Sequence, residues 1–276
     1  MADFAPHWLG LSGRVCVVTG AGSGIGAAVA TALAQAGARV ALLDLDADKA
    51  EKVADGLLNQ GFTALAIGCD TSDQDSVQAA AARVARELGP CHGVVNNAGM
   101  MRSGSLADVE LADWNRVLAV NLTGYLLVAR AFRPQMLAQG GGSLVHIASI
   151  AAVFPQTHSG AYSASKSGVL LLSKQLAAEW GAEGIRSNAI CPGMIRTPLT
   201  AAFYQQPGVE EKRAAATTSR RVGEAQDIAD AALYLLSPRA SYVNATELLV
   251  DGGMAAMMMD MVPRPGFAAG QPARAQ

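Results

Sequence analysis

Thr19-Gly20-Ala21-Gly22-Ser23-Gly24-Ile25-Gly26 follows a Val-rich run over residues 14–19 and leads into an Ala-rich segment over 24–36, so the chain reads there as strand, turn and helix. Glycines let a backbone turn tightly and come close to a pyrophosphate, and the helix start behind them offers unpaired N–H groups and a partial positive charge. The spacing Gly20, Gly24, Gly26 differs from the general G-x-G-x-x-G dinucleotide fingerprint. A glycine turn needs no ligand to exist. The strand before it and the helix after it are what point to a nucleotide site over Gly20, Ser23, Gly24, Ile25 and Gly26.

Outward from this turn the same alternation repeats. Short runs rich in Val, Ile and Leu at 39–43, 63–67, 93–96, 143–147, 186–190 and 247–250 are separated by helix-like segments at 47–59, 73–88, 112–138, 160–182 and 225–236. Alternation of this kind predicts an α/β fold, a parallel sheet covered by helices. With right-handed crossovers it winds into a Rossmann-type doubly wound sheet of seven strands, with helices on both faces and ligands at the carboxyl ends of the strands. Thr71 and Gln74 have the spacing of a capping box ahead of the third helix. Residues 1–262 are expected to form a single catalytic domain. Within it, 194–223 holds Pro198, Pro207 and Gly208 and reads as a substrate loop or lid. Residues 263–276 form a Pro/Gly/Ala-rich tail, expected to be disordered unless a neighbouring subunit holds it.

Half of the residues (51%) are hydrophobic and 16% are charged, a balance that requires an extensive interior. The 21 basic and 23 acidic residues are dispersed, so neither nucleic acid nor an anionic membrane is an expected partner. No apolar stretch reaches the length of about 18 residues that a membrane span needs, and MADFAPHWLG does not read as a secretory signal. Cys16, Cys69, Cys91 and Cys191 are scattered through strand-like segments, and His7, His92, His146 and His158 lack ligand spacing. The cysteines read as small core residues, no metal is expected, and the chain reads as cytoplasmic.

Asp44 follows the second strand, eighteen positions beyond Gly26, where such folds place an acidic residue on the adenosine ribose. Its plainer alternative is a helix cap, a role for which Asp46 is better placed. A carboxylate accepts hydrogen bonds from both ribose hydroxyls. It repels a 2′-phosphate by roughly 4 kcal/mol at about 4 Å and an effective dielectric near 20, before screening. With the apolar Leu45 next to it, Asp44 predicts NAD rather than NADP.

Tyr162-Ser163-Ala164-Ser165-Lys166 lies at the start of the 160–182 segment, so Tyr162 and Lys166 share one helix face. A tyrosine hydroxyl, with an ordinary pKa near 10, is a weak base at neutral pH, and a nearby ammonium favours its phenolate. The pair makes a proton-transfer centre, although a solvated surface pair has the same spacing.

Taken together, T-G-x-x-x-G-x-G over 19–26, Asn96-Asn97-Ala98-Gly99, Asn121, Ser149, Tyr162 with Lys166, and Pro192-Gly193 resemble the short-chain dehydrogenase/reductase family over roughly residues 10 to 253. The resemblance implies that Ser149 orients the substrate oxygen and that Tyr162 exchanges a proton with it. It implies that Lys166 lowers the Tyr162 pKa and holds the nicotinamide ribose, and that Asn121 supports a water-linked proton path to Lys166. Asn97 and Gly99 would support the adenosine end of the cofactor and Asp70 would meet the adenine. Pro192, Gly193, Ile195 and Thr197 would lie along the nicotinamide carboxamide and the phosphates. Each also has a local reading: Ser149 as a cap, Asn121 at a helix kink, Asn97 and Asp70 as turn residues, Pro192 as a strand stop.

The expected activity is hydride transfer between NAD and a secondary alcohol or ketone, without a metal. Met100, Met101, Phe154 and the 194–204 segment would border the substrate, favouring an uncharged or amphipathic alcohol, with Arg102 or His158 as polar contacts. Two alternatives stand beside it: a 3-oxoacyl-thioester reductase acting on carrier-protein or coenzyme A esters, and a nucleotide-binding sensor without turnover. Asp44 counts against an NADPH-using reductase, and the complete Asn121, Ser149, Tyr162 and Lys166 set counts against a sensor. A homotetramer is implied by the resemblance, with the helices of Asn121 and Tyr162 packing across a dyad. The run 169–172 agrees, being too apolar to leave exposed.

Overall fold

The first strand, β1 (Val15–Thr19), is buried along its whole length. Cys16 and Val18 join one hydrophobic cluster, and Val15 and Val17 another. That two-residue period is what a strand sandwiched between two helical layers requires. In the computed structural model, which describes residues 6–198 and 200–262, the elements follow in chain order. After β1 come α1 (Gly24–Gln35), β2 (Arg39–Asp44), α2 (Ala47–Leu58), β3 (Ala64–Gly68), α3 (Gln74–Glu87), β4 (Cys91–Asn96), α4 (Leu111–Leu118), α5 (Gly124–Ala138), β5 (Gly142–Ile147), α6 (Tyr162–Trp180) and β6 (Ile185–Pro192). Then come β7 (Ile195–Arg196), α7 (Ala201–Tyr204), α8 (Val209–Ala215), β8 (Gly223–Glu224), α9 (Ala225–Leu236) and β9 (Glu247–Val250). The tail expected over 263–276 lies outside the described residues.

Seven strands pair in parallel in the order β3-β2-β1-β4-β5-β6-β9. The chain reverses its direction of winding between β1 and β4, and this opens a crevice at the carboxyl ends of those strands. One face buries Val29 and Leu33 of α1 with Ile228 and Leu236 of α9; the other buries Val84 of α3 with Phe132 and Met136 of α5. Each expected strand is present, with its ends displaced by no more than two residues. All four cysteines are buried and unpaired. Among the described residues no helix is long and apolar enough to cross a membrane.

Two expectations need correction and two gain detail. The segment 112–138 is helical throughout, as expected, with a π turn, Ala119–Thr123, between α4 and α5 that realises the kink read at Asn121. Such turns occur as single bulges inside α-helices, and at this one the Asn121 side chain is tied to the backbone of Met100. Thr71 and Gln74 do not form the capping box of α3. Asp73 is the cap, accepting from Asp75 N at 2.8 Å and Ser76 N at 3.2 Å, and Gln74 is already the first helical residue. The excursion 194–223, read as a loop or lid, gains a detail too short to show in the sequence pattern: a parallel two-residue ribbon at its base pairs Ile195 with Gly223 and Arg196 with Glu224. Within 169–172, Val169 and Leu170 pack inside the protein and only Leu171 stands out, 69% exposed.

Candidate functional site

The loops after β1 and β4 are laced together across the crevice. Thr19 Oγ1 accepts from the backbone N–H groups of Asn97 and Ala98, both at 3.0 Å. Asn97 Nδ2 in turn donates to the carbonyls of Thr19 (3.0 Å) and Gly20 (3.1 Å). The turn role read for Asn97 is therefore real. Gly20 and Gly24 take positive φ, 62° and 54°, and a Cβ on Gly26 would lie 2.1 Å from the Gly20 carbonyl oxygen. Ser23 makes no side-chain cap to α1, which leaves the first-turn N–H groups of that helix to a ligand.

Asp44 closes β2 and braces this loop: its Oδ2 accepts from Gly22 N at 2.8 Å and its Oδ1 from Asp46 N at 3.0 Å. Asp46, as expected, is the cap of α2, accepting from Lys49 N. Asp70 accepts from the hydroxyl (2.6 Å) and backbone N–H (2.9 Å) of Ser72, bonds that hold its carboxyl below the usual range. Its local reading as a turn acceptor is thus realised. Asp44 and Asp70 line a cavity of about 720 Å³ together with Gly20, Ser23, Gly24 and Ile25.

A second cavity, of about 150 Å³, holds Ser149, Tyr162 and Lys166 with Pro192, Gly193 and Ile195. The two cavities share Ile25, Asn97, Gly99, Met100 and Thr197, and so form one crevice. Gly26 and Asn121 line neither: Gly26 packs under Gly20, and Asn121 is fully buried. Met100 borders both cavities and Arg102 only the larger one, while Met101, Phe154 and His158 border neither.

Ser149 follows β5 and caps the short turn Ile150–Ala152, its Oγ accepting from Ala151 N at 3.1 Å. Tyr162 is the first residue of α6, and Lys166 lies one turn further along it. Burial pushes the Tyr162 pKa above its ordinary value, and the hydrogen bond with Ser149 pulls it down. Lys166 Nζ lies 5.9 Å from the centroid of the Tyr162 ring. The same Nζ is turned to the Ile147 carbonyl (2.8 Å) and the Tyr125 hydroxyl (3.2 Å), and burial brings its own pKa down to about 7. Asn121 Oδ1 accepts from Met100 N at 2.8 Å, and Asn121 Nδ2 donates to Met100 O (2.9 Å) and Ser165 Oγ (3.1 Å). Its side chain fastens the loop after β4 to α6.

Within the 194–204 segment, the Thr200 hydroxyl, which the sequence did not single out, donates to Ile195 O at 2.8 Å and accepts from Thr197 N at 3.1 Å at the edge of the smaller cavity. Sequence reasoning also passed over Tyr125, although the spacing of four from Asn121 was a usable signal.

A family model described as Enoyl-(Acyl carrier protein) reductase matches residues 20–255. D-threitol dehydrogenase of Mycolicibacterium smegmatis is 42% identical over 243 residues, which are 88% of this chain and 93% of that protein. The solved structure of a 7α-hydroxysteroid dehydrogenase with NADH and 7-oxo glycochenodeoxycholic acid superposes with a TM-score of 0.86 at 36% identity, covering 91% of this chain and 97% of its own. A gluconate 5-dehydrogenase from Burkholderia cenocepacia, with NADP and tartrate, gives 0.85 at 32% identity, covering 89% and 96%. The Rossmann-type sheet and these relatives define a class of oxidoreductase, some of whose solved members hold NADH or NADP. The chain belongs to the short-chain dehydrogenase/reductase family.

Proposed function

We propose that this protein moves a hydride between NAD and a secondary alcohol or its ketone, with Tyr162 exchanging the proton. The observation that carries this reading is the continuity of the two cavities. One is walled by the glycine turn and Asp44, the other by Ser149, Tyr162 and Lys166, and they share five residues. The larger is shaped for a dinucleotide: glycines stand where a Cβ would fill the turn, and uncapped N–H groups stand at the start of α1. When bound, a nicotinamide supplies or accepts the hydride.

The chain's own residues do the rest. Ser149 donates to the substrate oxygen and places it beside the Tyr162 hydroxyl. Tyr162 is the base in oxidation and the acid in reduction. Lys166 supports the phenolate electrostatically and reaches the nicotinamide ribose, while Asn121 holds Met100 at the border of both cavities. Asp70 and Asn97 serve the adenosine end; Pro192, Gly193, Ile195 and Thr197 serve the nicotinamide end.

Solved relatives carry NADH in one case and NADP in another, so the choice rests on Asp44. Its carboxylate, beside the exposed Leu45, lines the larger cavity. Allowing for screening of the Coulomb repulsion, kcat/KM with NAD is expected to exceed that with NADP by about a hundredfold; comparable values reject the preference. The activity itself is tested with a panel of secondary alcohols, polyols, hydroxysteroids and 3-hydroxyacyl thioesters, followed by NADH absorbance. Turnover of a simple alcohol or polyol supports the reading. Turnover of thioesters alone replaces it with the acyl-thioester reductase, and binding of NADH without any turnover replaces it with the sensor.

A homotetramer belongs to the same reading. Leu111 on α4 and Leu171 on α6 are 74% and 69% exposed and offer apolar contacts for a partner helix pair. Sedimentation at micromolar concentration is expected to show four chains, and a monomer there overturns this.

A further inference from the structure

Lys166 is 4% exposed and, among the described residues, has no counter-charge. The titratable groups that face it are Tyr162 on its own helix, Tyr125 from α5, His146 from β5 and Cys191 from β6. None carries a negative charge at neutral pH. Burial pushes both tyrosines above their ordinary values, the Cys191 thiol up to about 11, and His146 down to about 3.

An ammonium in such surroundings keeps its proton only as far as neutral dipoles replace water. Two acceptors meet it, the Ile147 carbonyl at 2.8 Å and the Tyr125 hydroxyl at 3.2 Å. The Tyr125 hydroxyl gives its own proton to the same carbonyl at 3.0 Å, which turns an oxygen lone pair toward Nζ. Nζ also lies 5.1 Å from the centroid of the Tyr125 ring, within cation–π range.

Tyr125 is itself immobilised. It is 1% exposed and stacks on His146 with centroids 5.8 Å apart. His146 bridges Asn96 Nδ2 (3.2 Å) and Ser187 Oγ (3.1 Å), and Ser187 reaches Ser173 Oγ at 3.0 Å. This buried polar chain ties Tyr125 to β4, β5, β6 and α6 at once.

We infer that Tyr125 is a positioning residue for the reaction, whose hydroxyl and ring fix Lys166 Nζ and keep it protonated one turn from Tyr162. The inference rests on the proposed dehydrogenase reading for its effect on turnover, though not for its effect on Lys166 itself. Tyr125→Phe keeps the ring and its stacking on His146 and removes only the acceptor. A neutral Lys166 gives the Tyr162 phenolate no support, so the acid limb of kcat/KM for alcohol oxidation moves to higher pH. The expected displacement is about one pH unit, with about a tenfold loss of kcat/KM at neutral pH. A residue that only filled space would lower kcat/KM equally at every pH and leave the midpoint where it was.

The direct test is a 13C NMR titration of ε-labelled lysines in the full chain, the Lys166 signal being assigned by its loss in Lys166→Arg. A wild-type midpoint near 7 that falls by about one unit in Tyr125→Phe supports the inference. An unmoved midpoint overturns it, whether or not any alcohol is turned over. A shifted midpoint in a protein that turns over none of the panel refutes the dehydrogenase reading and leaves the placement of Lys166 standing. Should Tyr125→Phe fail to fold, p-aminophenylalanine at position 125 serves instead: it has the same size and still donates to Ile147, but it is a poor acceptor. A smaller fall of the Lys166 midpoint is expected there, and no fall overturns the inference.

Discussion

Tyr162→Phe is expected to lower kcat about a thousandfold, within the range that a positioned acid or base contributes, while NAD affinity stays within about threefold of wild type. The substitution removes one oxygen from the first residue of α6 and leaves the ring to pack as before. Ser149 keeps its bond to Ala151 N and Lys166 keeps both of its acceptors, so the cavity retains its shape. What is lost is the hydroxyl proposed to take the alcohol proton.

The sign of the pH dependence follows from the same group. Burial raises the Tyr162 pKa, and oxidation needs the phenolate, so the wild-type oxidation rate rises with pH through that midpoint. Reduction needs the phenol and falls over the same range. In Tyr162→Phe both limbs should vanish with the activity. Steady-state rates from neutral to alkaline pH, with calorimetric titration of NAD, measure the two effects separately. A variant that retains full turnover overturns the role assigned to Tyr162.

Gly26→Ala carries the second large effect, and it acts through the backbone. The new Cβ would lie 2.1 Å from Gly20 O, 2.8 Å from Gly20 C and 2.6 Å from Asn97 Nδ2. None of these can retreat cheaply. Gly20 sits between buried β1 and the turn, and Asn97 is bonded to the carbonyls of both Thr19 and Gly20. Relief requires the turn to open, which costs about 3 kcal/mol of stability. The opened turn also withdraws the N–H groups of α1 from the pyrophosphate, so NAD affinity should fall about a hundredfold or more. Gly56→Ala in α2 is the matched control. It meets nothing within 4 Å, and helix propensity favours it by up to about 1 kcal/mol. Thermal melting and NAD titration of both variants decide the matter, and normal binding in Gly26→Ala would show that the glycine turn does not hold the cofactor.

The parts of this protein that were legible in the sequence are those in which neighbours along the chain are also neighbours in space. A strand buried on both faces must be a short apolar run, which is why VCVVT could be located before any tertiary contact was known. The glycine turn is local, and Tyr162 and Lys166 meet because one helical turn separates them. Where the local choice was between near-equals, reading by spacing failed. Asp73 displaced Thr71 as the α3 cap because the helix begins at Gln74, a boundary set by packing rather than by the Thr71 to Gln74 interval.

The environment of those same residues was decided only by the tertiary structure. Lys166 finds its acceptors 19 and 41 positions away, Asn121 finds Met100 21 positions away, and Ser149 meets Tyr162 only once β5 and α6 have packed. Sequence alone determined the Rossmann-type sheet, the glycine turn after β1 and the placing of Tyr162 and Lys166 on one helix face. Packing decided that Tyr162 is buried beside Ser149, and that Lys166 is buried against the Ile147 carbonyl and the Tyr125 hydroxyl. The physical reason is that desolvation and hydrogen bonding depend on which distant segments enclose a group, and no spacing along a chain encodes that enclosure.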